Sequence, residues 1–176
     1  WTAEQQEEWR MDLCKLLVAT HTPWNFVNNP QTRKFFAKYR PEAVVPDRRV
    51  LSGRVLDKVA ESVEIKTRAQ ITGKYATGIC DGWKNIAKEP VITSMAGVEG
   101  DSYLMRSHNM TGQPKTGDQL LEVVKEDLNY METHYGLRTI AWCTDDGPDG
   151  KKMRRLLWTW LPWMVVLVCW AHQINL

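Results

Sequence analysis

The chain lacks most of the features by which composition betrays function. Lys and Arg number 23 against 21 Asp and Glu, a formal net charge of +2 that announces neither a polyanion binder nor an acidic partner. Any nucleic-acid contact has to come from local patches. Cysteine is scarce: Cys14, Cys80, Cys143 and Cys169 stand far apart, three of them in apolar runs. That excludes a secreted disulfide framework and reads as reduced thiols packed in a core. No Gly-rich phosphate loop and no nucleophile motif is visible. The opening TAEQQEEWR is acidic and polar, unlike a signal peptide. Long apolar runs are missing but for Leu156–Ala171, LLWTWLPWMVVLVCWA. A spanning helix needs ~20 apolar residues, and Pro162 divides this run into halves. Its β-branched part, Met164–Val168, reads as a buried strand, so no membrane role is expected.

What is present suffices for one sizeable core with a helical extension. The first 72 residues read as helical. Thr2–Ala19 carries Trp9, Leu13, Leu16 and Leu17 near a 3.6 period. Asn29–Pro30 caps a short helix over Gln31–Tyr39. Asp47 caps a longer one to about Thr67, with Val50, Leu51, Val55, Val59 and Val63 on one face. From Gly73 the pattern changes. Lys74–Asp81, Pro90–Val98 and Ser102–Met110 read as three antiparallel strands, the last two joined by a tight turn at Glu99–Gly100–Asp101. A helix over Gly117–Tyr135 is capped by Thr116 and closed by Gly136. A strand over Arg138–Thr144, a short helix over Lys151–Trp158 and a strand near Met164–Val168 complete the chain.

The stretch Leu137–Asp149, LRTIAWCTDDGPD, organises this second part. It is an apolar run that breaks into acid, Gly and Pro, and leaves Asp145 where open α/β sheets place their chemistry. Asp81, after YATGIC, has the same setting. The fold class is therefore α/β. Its order, β-β-β-α-β-α-β, matches a ribonuclease H-like mixed sheet, in which the first and fourth strands lie side by side and parallel. Asp81 and Asp145 would then face one another, and two carboxylates in that relation suit a hard divalent cation.

CDGW at Cys80–Trp83, CTDD at Cys143–Asp146 and CWAH at Cys169–His172, with PWNFVNNPQTRKFF and PEAVVPDRRVL upstream, resemble the hAT-type DNA transposases that carry a DUF659 domain. The resemblance runs from roughly Pro23 to Leu176, with residues 1–72 as the family's helical preamble and 73–176 as the first part of the catalytic core. It implies that Asp81 and Asp145 are two of three acidic ligands for two Mg²⁺ or Mn²⁺ ions. Such ions stand ~3.5–4 Å apart, activate the attacking oxygen and stabilise the leaving one. The third acid, a Glu, falls in the family beyond a helical insertion after CxxH, outside this chain. Asp146 and Asp149 stand where the family has Asn. The partners implied are transposon-end and flanking DNA in the nucleus, with a homo-oligomer in the full-length protein. The chain begins on Trp1 and stops at Leu176, which reads as an inactive fragment of that protein.

Each candidate has a plainer role beside it. Asp81 can be a turn acid before Gly82, and Asp145 a helix-capping acid. Trp83 can stack on an unpaired base, worth ~1–3 kcal/mol, as the resemblance implies, or cover a sheet edge. His172, by resemblance, lies near the active site; CxxH alone supplies half of a zinc site, so zinc is not expected. Lys151, Lys152, Arg154 and Arg155 can neutralise phosphate or form a solvated helix face. Arg33–Lys34 and Arg48–Arg49 are weaker candidates for the same contact. Two other readings stand beside the transposase: a decayed or domesticated relative that binds without chemistry, and an unrelated α/β enzyme using Asp145–Asp146.

Overall fold

A computed structural model describes residues 1–170 and 174 of the chain. Contacts group it into two units, Trp1–Lys66 and Thr67–Leu176, a boundary a few residues before the expected change of pattern at Gly73.

The first unit is helical, as expected. Helix α1 (Ala3–Ala19) starts with a capping box between Thr2 and Gln5. A 3₁₀ turn over Trp24–Asn28 follows. Asn29 and Pro30 then start α2 (Pro30–Tyr39). Asp47 caps a first turn, α3 (Arg48–Val50), and α4 runs over Leu56–Ile71. Between them the single long helix expected from Asp47 is interrupted: Leu51–Val55 widens to π-type turns, with Gly53 off helical geometry at φ −113°, ψ −109°. Leu13, Cys14, Leu17, Val27, Leu51, Val55 and Val59 form the core of this unit.

The second unit is α/β. Its strands β1 (Tyr75–Lys84), β2 (Pro90–Val98), β3 (Asp101–Asn109), β4 (Arg138–Thr144) and β5 (Val165–Val168) form one mixed sheet in the order β3-β2-β1-β4-β5. Strands β1, β2 and β3 are an antiparallel meander, as the strand pattern predicts, and β1 pairs with β4 in parallel, as the analogy of element order implies. The β2–β3 hairpin turns on Glu99 and Gly100, both at positive φ (52° and 95°), which matches the right-handed twist of the strands it joins. Helix α5 (Gly117–Tyr135) has the expected Thr116 cap and ends on Gly136 in the left-handed region at φ 66°. The uncharged run divides near Pro162, between the end of α6 (Pro148–Trp160) and β5. Among the described residues no helix is long and apolar enough to cross a membrane.

The core lies between α5, α6 and one face of the sheet. Ala76 and Cys80 of β1, Ala96 and Val98 of β2 and Trp142 of β4 meet Val124, Leu128 and Met131 of α5 and Met153 and Leu157 of α6. Gly78 is obligatory here: a Cβ at this position would overlap the ring of the fully buried Trp142, so the indole lies across β1 only because its neighbour has no side chain. This anchors β4 against β1 three residues before Asp145, the first residue beyond the strand.

Candidate functional site at the ends of the two central strands

The last parallel pair in the β1–β4 ladder is Ile79 with Cys143. Asp81 and Asp145 each stand two residues further on, so the register delivers them to the same end of the sheet. Strand order diverges at this point: β1 continues outward through β2 and β3, and β4 through β5. In open α/β sheets the crevice outside such a divergence is where ligands sit. A cleft of about 410 Å³ occupies it, lined by both carboxylates together with Trp83, Lys84, Met110, Lys115, Gln119 and Gly150.

The two acids are held differently. Asp81 lies inside β1, paired with Thr93, because the strand runs on through Gly82 to Lys84, with the turn after it closed by Asn85 and Glu89. The turn-acid role therefore falls away. Its side chain is exposed and makes no hydrogen bond or ion pair among the described residues. Asp145 is half-buried at the start of α6. Its Oδ1 accepts a long 3.3 Å bond from the Gly147 N–H, and a Cβ on Gly150 would come within 2.8 Å of the same oxygen and 2.9 Å of the Asp145 carbonyl. The carboxylate thus shares the first turn of a helix whose N-terminal residue, Gly147, supplies no side-chain cap. The capping role holds in part, through the Gly147 N–H alone.

Arg154 positions this loop. Its guanidinium donates to Thr144 Oγ1 at 2.7 Å, to the Asp145 carbonyl and to Asp146 Oδ1 at 2.8 Å, and the residue is buried. Asp146 is thereby spent on an ion pair, whereas Asp145 keeps its carboxylate toward the cleft. Lys152 pairs with Asp118 of α5. Lys151 and Arg155 are exposed. None of these four cations lines the cleft.

Trp83 is half-exposed, and its Nε1–H donates to Thr93 Oγ1 at 3.0 Å. One end of the indole is tied down on β2 and its ring borders the cleft. Beyond Ile79, β1 is paired only by β2. Burial pushes the Cys80 thiol up to about 12; the Trp142 side chain opposes this and the charges of Asp127, Asp145 and Asp81 add to it. Cys80 is inert floor beneath the site. Cys143 is half-buried and its thiol is also raised, chiefly by burial. His172 lies outside the described residues.

The donor set suits a hard cation held partly by water or phosphate: oxygen ligands only, largely unclaimed by the protein. Among the described residues no group of three His, Cys, Asp or Glu side chains stands ready as a complete cage. Asp149 also lines the cleft, from the first turn of α6.

A second polar cluster gave no sequence signal. Asp127 of α5 is completely buried and accepts from Ser94 Oγ and, at 2.7 Å, from His108 Nε2, with Arg106 at 3.6 Å. A bulge in the β2–β3 ladder explains the arrangement. Ser94 pairs with Arg106 and Met95 with Leu104, leaving Met105 unpaired. The extra residue shifts the alternation, so that Met105 and then Arg106 and His108 all turn toward α5.

Comparison of the chain with protein-family models, with curated proteins and with solved structures finds no match in any of the three.

Proposed function

We propose that the cleft is a divalent-metal site for DNA strand cleavage and transfer, in a ribonuclease H-like domain of the hAT transposase type. The observation that carries the reading is the delivery of Asp81 and Asp145, from the two central parallel strands, to one cleft at the strand ends. Mg²⁺ or Mn²⁺ bound there would supply Lewis-acid activation of the attacking oxygen and charge neutralisation at the phosphate. The chain's own residues do the rest. Asp81 and Asp145 hold the ions, Arg154 and Gly150 fix the backbone that aims Asp145, and Trp83 offers a tethered ring face to an unpaired base. Transposon-end DNA is the substrate of this reading, the nucleus its location, and a homo-oligomer the working form of the longer protein that adds the third acid.

A second reading, a relative that binds without chemistry, has one observation in its favour. Asp145 contacts the Gly147 N–H at the start of α6, so packing alone gives a reason to retain it. The two readings part in a cleavage assay on transposon-end DNA with Mg²⁺ and the full-length protein. Asp81→Asn and Asp145→Asn should each abolish strand cleavage while the circular dichroism spectrum stays unchanged. Cleavage retained by either variant would sink the metal-site assignment.

A further inference from the structure

The cations that face the cleft are not those on α6. Lys84, at the end of β1, and Lys115, just before the Thr116 cap of α5, both line it and are both exposed. Neither has an ion-pair partner among the described residues, whereas Lys152 is held by Asp118 and Arg154 by Asp146. The two lysines enter from different walls, one from the sheet and one from the loop ahead of α5. Between these walls lie apolar surfaces: Trp83, Met110 and Pro114.

This combination identifies a ligand chemistry. Two unmatched ammonium groups beside a pair of carboxylates would be wasted on a metal ion, which they repel. They complement an anion lying beside the carboxylates, with or without a metal present. A small anion satisfies one lysine, while a chain of phosphates carrying apolar, stackable groups satisfies both lysines and the wall between them. Single-strand grooves combine the same elements, backbone cations and an aromatic platform. We infer that Lys84 and Lys115 take phosphates of a single nucleic-acid strand lying across Asp81 and Asp145, and that the α6 cations do not. This rests on the strand-processing reading above and changes which residues grip the strand.

The test keeps chemistry out of the measurement. Binding of a labelled single-stranded oligodeoxynucleotide of about 15 nucleotides is followed by fluorescence anisotropy in EDTA, over a salt series. Each phosphate contact on a single strand contributes about 0.7 to the slope of log affinity against log salt. Lys84→Gln with Lys115→Gln should therefore flatten the slope by about 1.4, whereas Lys151→Gln with Arg155→Gln leaves it unchanged. Asp81→Asn should bind as tightly as the unaltered chain or tighter, since a repelling carboxylate is gone. An unchanged slope in the cleft double variant, an equal loss in the α6 double variant, or no binding by the unaltered chain would overturn the inference. All of these substitutions are at exposed positions, and a preserved circular dichroism spectrum checks the fold. If the cleft variants lose slope but the full-length protein cuts no DNA, the inference survives and the catalytic reading fails. If cleavage depends on Asp81 and Asp145 while the cleft variants keep their slope, the reverse holds.

Discussion

Two kinds of aspartate sit within the α/β unit, and they are opposites. Asp127 is fully buried, and Ser94, His108 and Arg106 surround its carboxylate. Asp81 is exposed with no partner among the described residues, and Asp145 has a single 3.3 Å bond. A buried charge survives only when its lone pairs are claimed, so Asp127 belongs to the architecture, tying α5 to the β2–β3 hairpin. Carboxylates left under-claimed at the ends of strands are open to a ligand. Satisfaction, more than residue type or proximity to a helix, separates the structural acid from the candidate ligands.

The sharpest way to break this contrast is Asp127→Ala. It strands the Ser94 hydroxyl and the His108 ring, while Arg106 keeps Glu126 at 3.6 Å, and should cost about 3–5 kcal/mol, as breaking a buried pair does. Urea unfolding checks it; a loss below about 1 kcal/mol would mean the cluster is wetter and weaker than its burial implies. A smaller effect is expected for Gly150→Ala. The new methyl group meets the Asp145 carboxylate and its backbone oxygen, so overpacking should cost about 1–3 kcal/mol and weaken metal binding in parallel. Stability loss with unaltered metal binding would show that Gly150 serves the helix and not the site. Smallest of all is Asp81→Asn, expected to change stability by no more than about 0.5 kcal/mol, since the side chain is exposed. A large loss there would erase the distinction between the two kinds of acid.

How far the sequence shows these features depends on how locally each is encoded. The β1 and β4 strands follow from alternation and from turn residues; their parallel relation is expected from the element order by analogy with a ribonuclease H-like sheet, and the structure has that pairing. Helix α5 is equally plain, because Thr116 and Gly136 mark its ends. The extension of β1 past Asp81 to Lys84 was hidden by Gly82, which reads as a turn residue until the pairing with Ile92 is seen. The Asp127 cluster was hidden for a different reason. It depends on the bulge at Met105, which breaks the period-2 pattern that any reading of a strand assumes. The basic run at the start of α6 illustrates a third limit. Sequence shows the sign of Lys152 and Arg154, but only tertiary packing shows that Asp118 and Asp146 have already consumed them.

The central claim is that Asp81 and Asp145 share a divalent ion, and paramagnetic NMR tests it most directly. Mn²⁺ is titrated into the ¹⁵N-labelled chain and into its Asp145→Asn variant. The account predicts that amide signals around Asp81–Gly82 and Asp145–Gly147 broaden first, at weak affinity suited to two carboxylates, on the order of 1 mM. It predicts that broadening at both segments fades together in the variant. Broadening that starts elsewhere, or that persists unchanged at Asp81 without Asp145, would contradict a shared site.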